Sequence, residues 1–280
     1  MTCIRFCLMF TALMWSAIGW AQVARSHNAT VRVTDFAEES SEGTLYDDFN
    51  HKWLDPAKWQ VGNPQCWVTL ECVREIKNGQ LRLAVRDFVA TDSDSGIGWS
   101  GPEVRFIDPN VNSIQADIAA QSFSGVGCAT NKTDYTHTEI RLWGTFFNVG
   151  TGNAVDDVTA FLFIWVDTFN PQTMTVGLWW GYNWGSGRGS SYPFASYPFG
   201  TPLTLALKWD KDNHQFIARS KPRFVSSSGR QITVPYGVSD VTPPTSASRG
   251  VDATAHSLNC TSGQTYSQVE AMVDKVIVNW

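Results

Sequence analysis

Between Tyr135 and Trp184 the chain carries three β-type runs in succession, at 136–149, 158–169 and 174–184, all dense in tryptophan and phenylalanine. Successive side chains of a strand point to opposite faces, so each run divides into two rows. The first separates His137, Glu139, Arg141 and Trp143 from Thr138, Ile140 and Leu142. The second separates Thr159, Phe161, Phe163, Trp165 and Asp167 from Ala160, Leu162, Ile164 and Val166. In each, the aliphatic row belongs to a core, and the other row mixes rings with charge. On the third run Trp179 and Trp180 must face opposite ways, one to the core and one outward.

The same period runs through the rest of the chain. Leu81, Leu83 and Val85 alternate with Arg82, Ala84 and Arg86, and Asn78-Gly79 ahead of them is a hairpin turn, since both residues tolerate positive φ. Further strands are predicted at 103–107, 113–123, 202–210, 214–220 and 273–280, with Asp210–Asn213 as a second tight hairpin. No segment sustains a 3.6-residue apolar period, and the helix candidates are single turns near Asp55–Lys58. Around ten strands without helices imply an all-β fold of two packed antiparallel sheets. The Gly-, Ser- and Pro-rich stretches 185–200 and 226–250 are expected to be long surface loops, and 22–44 a loose lead-in to one domain at 45–280.

Residues 1–21 have the form of a secretory signal: Arg5, an apolar stretch from Phe6 to Ile18, then small residues at 19 and 21. Export to the periplasm or the outside is therefore expected. No later stretch reaches the roughly 18 apolar residues of a spanning helix, so membrane insertion is not expected. The formal net charge is −5, and no basic run is present, which argues against nucleic acid as a partner. Beyond the signal four cysteines remain, Cys66, Cys72, Cys128 and Cys260, an even count that suits disulfides in an exported chain. Four cysteines allow three pairings; joining Cys66 to Cys72 closes a short loop and leaves Cys128–Cys260 as a long-range staple. Their spacing matches no common zinc pattern.

Three constellations carry candidate chemistry. His137, Glu139 and Arg141 share one strand face with Cβ atoms roughly 6.5–7 Å apart from one to the next, so a histidine held by a carboxylate stands beside a cation. Trp143, Trp165 and Trp179, with Tyr182, Asn183, Trp184 and Arg188 where a loop begins, supply flat rings and hydrogen-bonding groups of the kind that hold a pyranose. Asp92-Ser93-Asp94-Ser95-Gly96 alternates oxygen donors as calcium loops do, although a solvated turn would read the same.

Several pieces in order resemble the concanavalin A-like lectin and glucanase superfamily. Leu45-Tyr46-Asp47-Asp48-Phe49 with Leu54–Trp59 is similar to its opening strand and turn, and Lys77–Leu83 to its next hairpin. Leu203–Trp209 with the strand from His214 is similar to its late hairpin, and Ala271–Asn279 to its closing strand. The resemblance implies a jelly-roll β-sandwich with one concave sheet. It also implies a possible structural calcium beside the first and last strands, at Asp48 and Asp274. Laminarinase-type members carry E-x-D-x-x-E on one strand, two of whose carboxyl groups act in retaining hydrolysis. This chain has no such motif. The expectation is therefore a protein that binds a polysaccharide or oligosaccharide through Glu139, Arg141, Trp143, Trp165, Trp179, Tyr182 and Trp184 without cutting it. Two alternatives stand beside it. One is a glycan-degrading enzyme, either a hydrolase pairing Glu139 with an aspartate or a lyase using His137 and Arg141. The other is a structural or adhesive surface protein.

Overall fold

The computed structural model describes residues 30–36, 43–61, 70–88, 101–127, 136–182, 188–225, 228–257 and 265–280. Among them the strands are, in chain order, β1 (Arg32–Phe36), β2 (Thr44–Asp47), β3 (Trp59–Val61), β4 (Leu70–Lys77), β5 (Gln80–Phe88) and β6 (Glu103–Phe106). They continue as β7 (Ser113–Val126), β8 (His137–Asn148), β9 (Asp157–Asp167), β10 (Thr173–Tyr182) and β11 (Gly189–Pro198). The last are β12 (Leu203–Asp210), β13 (Gln215–Pro222), β14 (Gly229–Pro235), β15 (Ser248–His256) and β16 (Tyr266–Val278). A nine-stranded antiparallel sheet has the order β1-β14-β13-β12-β7-β16-β5-β4, with β2 also on β16. A seven-stranded sheet has the order β11-β10-β9-β8-β15-β6-β3. Neighbours such as β7 and β16, or β8 and β15, lie far apart in the chain, the crossed connectivity of a jelly-roll sandwich.

The core lies between the sheets and is built by alternation. Leu81, Leu83 and Val85 of β5, and Leu203, Leu205 and Leu207 of β12, are fully buried from one sheet. Val158, Ala160, Leu162, Ile164 and Val166 of β9 meet them from the other. Each buried aliphatic side chain of this size contributes about 1.5–3 kcal/mol. The opening segment is clamped to this core through Trp59, whose indole N–H donates to Asp47 at 2.6 Å while its ring packs on Tyr46, Phe49 and Phe106. Asn78 and Gly79 turn between β4 and β5 with φ of 54° and 73°, the pair of positive values a two-residue hairpin needs. Two single 3-10 turns, Ala154–Asp156 and Lys211–Asn213, complete the regular structure among the described residues. Asp55–Lys58 is a simple turn closed by the Lys58 and Trp59 amides on the Asp55 carbonyl.

Three expectations change. The lead-in at 22–44 contains β1, an edge strand paired with β14. It is held by Phe36, which occupies the space a side chain on Gly229 would fill and carries the Arg219 guanidinium, and by the 2.7 Å Asp35–Arg230 ion pair. The stretch 185–200 contributes β11, and 226–250 contributes β14 and the start of β15. Part of their glycine, serine and proline content reflects edge and ring-supporting positions, while 236–247, with Pro243 and Pro244, is irregular as expected. The chain accordingly has sixteen described strands where about ten were expected.

Candidate functional site

The face of the seven-stranded sheet turned away from the core carries the mixed rows. On β8, Ile140 and Leu142 point inward, which turns His137, Glu139, Arg141 and Trp143 outward. On β9 the aliphatic row is inward and Phe161, Phe163, Trp165 and Asp167 are outward. On β10, Val176 and Leu178 are in the core, so Trp179 is presented and Trp180 packs inward near Phe216 and Tyr236.

Cross-strand register assembles these side chains into lines perpendicular to the strands. One line runs Arg105 (β6), Gly250 (β15), Trp143 (β8), Phe161 (β9) and Trp179 (β10). The next runs Glu103, Asp252, Arg141, Phe163 and Gly177. A third joins Thr254, Glu139, Trp165 and Thr175, and a fourth His256, His137 and Asp167.

Glycines beneath the rings set their attitude. A Cβ on Gly177 would lie 2.3 Å from the Phe163 ring, one on Gly189 would lie 2.3 Å from the Trp179 indole, and one on Gly181 2.8 Å from it. The Trp143 indole N–H lies over Gly250 in the same way, at 3.3 Å. Without side chains below, the rings lie over neighbouring strands instead of standing upright. Phe161 and Trp179 then stack at 4.8 Å with 19° between their planes. Arg105 lies 5.6 Å from the centre of the Trp143 ring, and Arg141 lies 5.5 Å from that of Phe161.

The charged groups are sunk among these rings. Arg141 is 3% exposed and forks onto Asp252, donating through Nε at 2.7 Å and through Nη2 to the second carboxylate oxygen. Its Nη1 reaches Glu139 at 3.4 Å. Burial pushes the Glu139 carboxyl up to about 7, against the pull of Arg141 and with the added push of Asp252. His137 stacks on Trp165 at 3.6 Å and lies 5.0 Å from the His256 ring. The Trp165 indole N–H is tied to Asp167 at 2.9 Å. Arg105 donates to Glu103 at 2.6 Å, while its Nε and the Trp143 indole N–H have no acceptor. A charged, partly protonated cluster thus adjoins a flat aromatic strip, an arrangement suited to hydrogen-bonding hydroxyls at one edge of a ring system and packing against its face.

The structure therefore brings His137, Glu139, Arg141, Trp143, Trp165 and Trp179 to one face. Tyr182 departs from that expectation. It shares the inward parity of Trp180, packs against the core, and carries the Arg188 guanidinium at 4.8 Å. Arg188 in turn pairs with Asp156. Asn183 and Trp184 lie outside the described residues, as do Cys66, Cys128, Cys260, Asp92 and Asp94. Cys72 sits half-buried on β4 against the core. Asp48 and Asp274 line one hollow with Asn50, Gly79, Arg223 and Lys275, so two cationic groups stand beside the two carboxylates. Asp48 accepts from the Asn50 amide side chain at 2.8 Å, and Asp274 lies 3.7 Å from Arg223. Among the described residues no three His, Cys, Asp or Glu side chains are grouped to hold a metal ion. Sequence reasoning missed Asp252, Thr254, His256, Glu103 and Arg105. The alternation of Asp252, Thr254 and His256 with Val251, Ala253 and Ala255 was the available signal.

No protein-family model and no curated protein matches the chain. Solved structures do. The chain is similar to a κ-carrageenase from Pseudoalteromonas carrageenovora in complex with an oligotetrasaccharide of κ-carrageenan, at TM-score 0.41 and 10% identity over 92% of this chain and 99% of that one. It is similar to a prokaryotic β-1,3-1,4-glucanase (lichenase) derived from a mouse hindgut metagenome, at TM-score 0.38 and 12% identity over 83% and 98%. It is also similar to winged bean acidic lectin complexed with methyl-α-D-galactose, at TM-score 0.37 and 10% identity over 88% and 99%. These are concanavalin A-like jelly-roll proteins, and at such identities the likeness is one of fold alone.

Proposed function

We propose that the outward face of the seven-stranded sheet binds a glycan chain laid across the strands. The observation that carries this reading is the ring strip Trp143, Phe161 and Trp179, one ring on each of three adjacent strands and each in register with the next. Phe161 is buried beneath Trp179 and Arg141, so the strip offers the part-exposed indoles of Trp143 and Trp179, two strand spacings of ~4.8 Å apart, for pyranose faces to meet. Glu139, Asp252 and Arg105 then border the strip with acceptors and a donor for hydroxyls. Retention on insoluble polysaccharides and titration with soluble ones test this directly. Trp143→Ala and Trp179→Ala are each expected to weaken binding by roughly 10- to 100-fold, the worth of one large apolar contact. Wild-type protein retained on no glycan would remove the proposal.

One observation favours a second reading, in which the bound glycan is cut. Glu139 is buried with its carboxyl up to about 7, while Asp252 beside it is held by a bidentate guanidinium. A carboxylic acid kept protonated near neutrality beside a second carboxyl group is how proton donors for glycosidic cleavage are made. Release of reducing ends, or of unsaturated ends absorbing in the ultraviolet, and its loss in Glu139→Gln would establish cleavage. Silence in both assays leaves a binding face.

A further inference from the structure

We infer that the glycan taken by this face is an uncharged one, and that uronate-bearing or sulfated chains are rejected. The inference rests on the carbohydrate reading above and adds the class of sugar. Anionic glycans are gripped by cations with free hydrogen-bonding valence, and the forked guanidinium of arginine is the group best shaped for them. Arg141 on this face is committed to two carboxylates, and Arg105 is tied to a third through a single nitrogen, Nη2. Arg141 forks onto Asp252 and reaches Glu139, and Arg105 donates to Glu103 at 2.6 Å. Arg188, farther along the sheet, pairs with Asp156.

The described outward lines hold Glu103, Glu139, Asp167 and Asp252 against Arg105 and Arg141, four carboxyl groups to two cations. The segments between residues 62 and 264 outside the described ones do not reverse this sign, because they contain Lys132 as their sole base alongside Asp92, Asp94 and Asp134. Asp252 and Glu139 are at most 5% exposed, where charge is weakly screened by salt and repulsion of a second anion is strong. Hydroxyl groups face no such penalty, since each donates a charge-assisted hydrogen bond to a carboxylate oxygen. The Arg105 Nε and Trp143 Nε1 have no partner but are themselves closed off from the surface, so they offer an anion no two-point grip.

The full chain should be titrated at pH 8, where exposed histidines are uncharged. The probes are laminarin and galactomannan as uncharged polymers, and alginate and κ-carrageenan as anionic ones, each at low and at physiological salt. The expected result is binding of at least one uncharged polymer with little salt dependence, and affinity at least tenfold lower for both anionic ones at low salt. Glu103→Gln, which releases the partly exposed Arg105 from its partner, is expected to narrow that discrimination by roughly fivefold. Tight binding of alginate or carrageenan that falls steeply with salt would overturn the inference while leaving the carbohydrate reading intact. Binding of none of the four, on chain shown to be folded by its cooperative melting, would overturn both.

Discussion

A carboxyl group enclosed at position 139 ionises in the folded chain only as the pH reaches about 7, because burial removes the water that would solvate its charge. In the unfolded chain the same group ionises near its ordinary value of 4.5. The folded state therefore holds this proton more tightly than the unfolded state. Its contribution is complete below pH 4.5 and is lost as the pH climbs to 7, by up to about 3 kcal/mol. Glu139→Gln keeps the shape and removes the titration. Its stability relative to wild type is expected to rise across that window and to level off above pH 7, as thermal melts between pH 4 and 8 would show. An unchanged difference across the window would refute the assignment. Gly177 acts through what it lacks. In Gly177→Ala the methyl group falls 2.3 Å from the Phe163 ring, so the ring must lift, with an expected loss of about 1–3 kcal/mol in denaturant unfolding.

Within β9 the core row and the row of the proposed binding face can be tested apart. Leu162 lies in the core at 0% exposure, and Leu162→Ala is expected to cost about 2–5 kcal/mol while glycan affinity of the folded protein stays at the wild-type value. Phe161→Ala, one residue away on the opposite face and also buried, removes the stacking partner of Trp179 and is expected to weaken retention on polysaccharide besides costing about 3–5 kcal/mol. Comparing melts and binding isotherms for the pair decides between a recognition row and a second packing row. The sidedness of β8 was readable from sequence because its charges alternate with Ile140 and Leu142. That of β10 was not, since Trp179 and Trp180 are chemically identical and only the core positions of Val176 and Leu178 distinguish them. Tyr182 was grouped with Trp179 for its chemistry, whereas three residues along a strand put it on the other face. β15 passed unnoticed because Ser248-Arg249-Gly250 and the alanines between its polar residues lack the bulky β-branched side chains that announce a strand. Half of the charged cluster was hidden with it.

Across the whole molecule, the two-sheet architecture was legible because the central strands must bury one face each, and that demand writes itself into alternation. The edges escaped. β1 has four exposed residues of five, and β11 is broken by two prolines, so neither carries a core row to be recognised. Their work is to cap neighbouring backbones. Removing residues 30–36 is expected to change the melting temperature little but to bare the β14 edge, seen as concentration-dependent self-association in sedimentation; a chain that stays monomeric would show the cap to be dispensable. The mixed row on β8 has a wider consequence. Because β9 is greasy on both sides, solvent preference alone does not tell it which way to turn, and a one-residue slip against its neighbour would exchange its two surfaces. Asp167 opposes that slip in β9, and His137, Glu139 and Arg141 hold β8 the same way up, since turning either strand over would drive its ionisable groups into the dry gap between the sheets. The residues of the proposed binding face thereby also act as the key that aligns the strands while the chain is still folding.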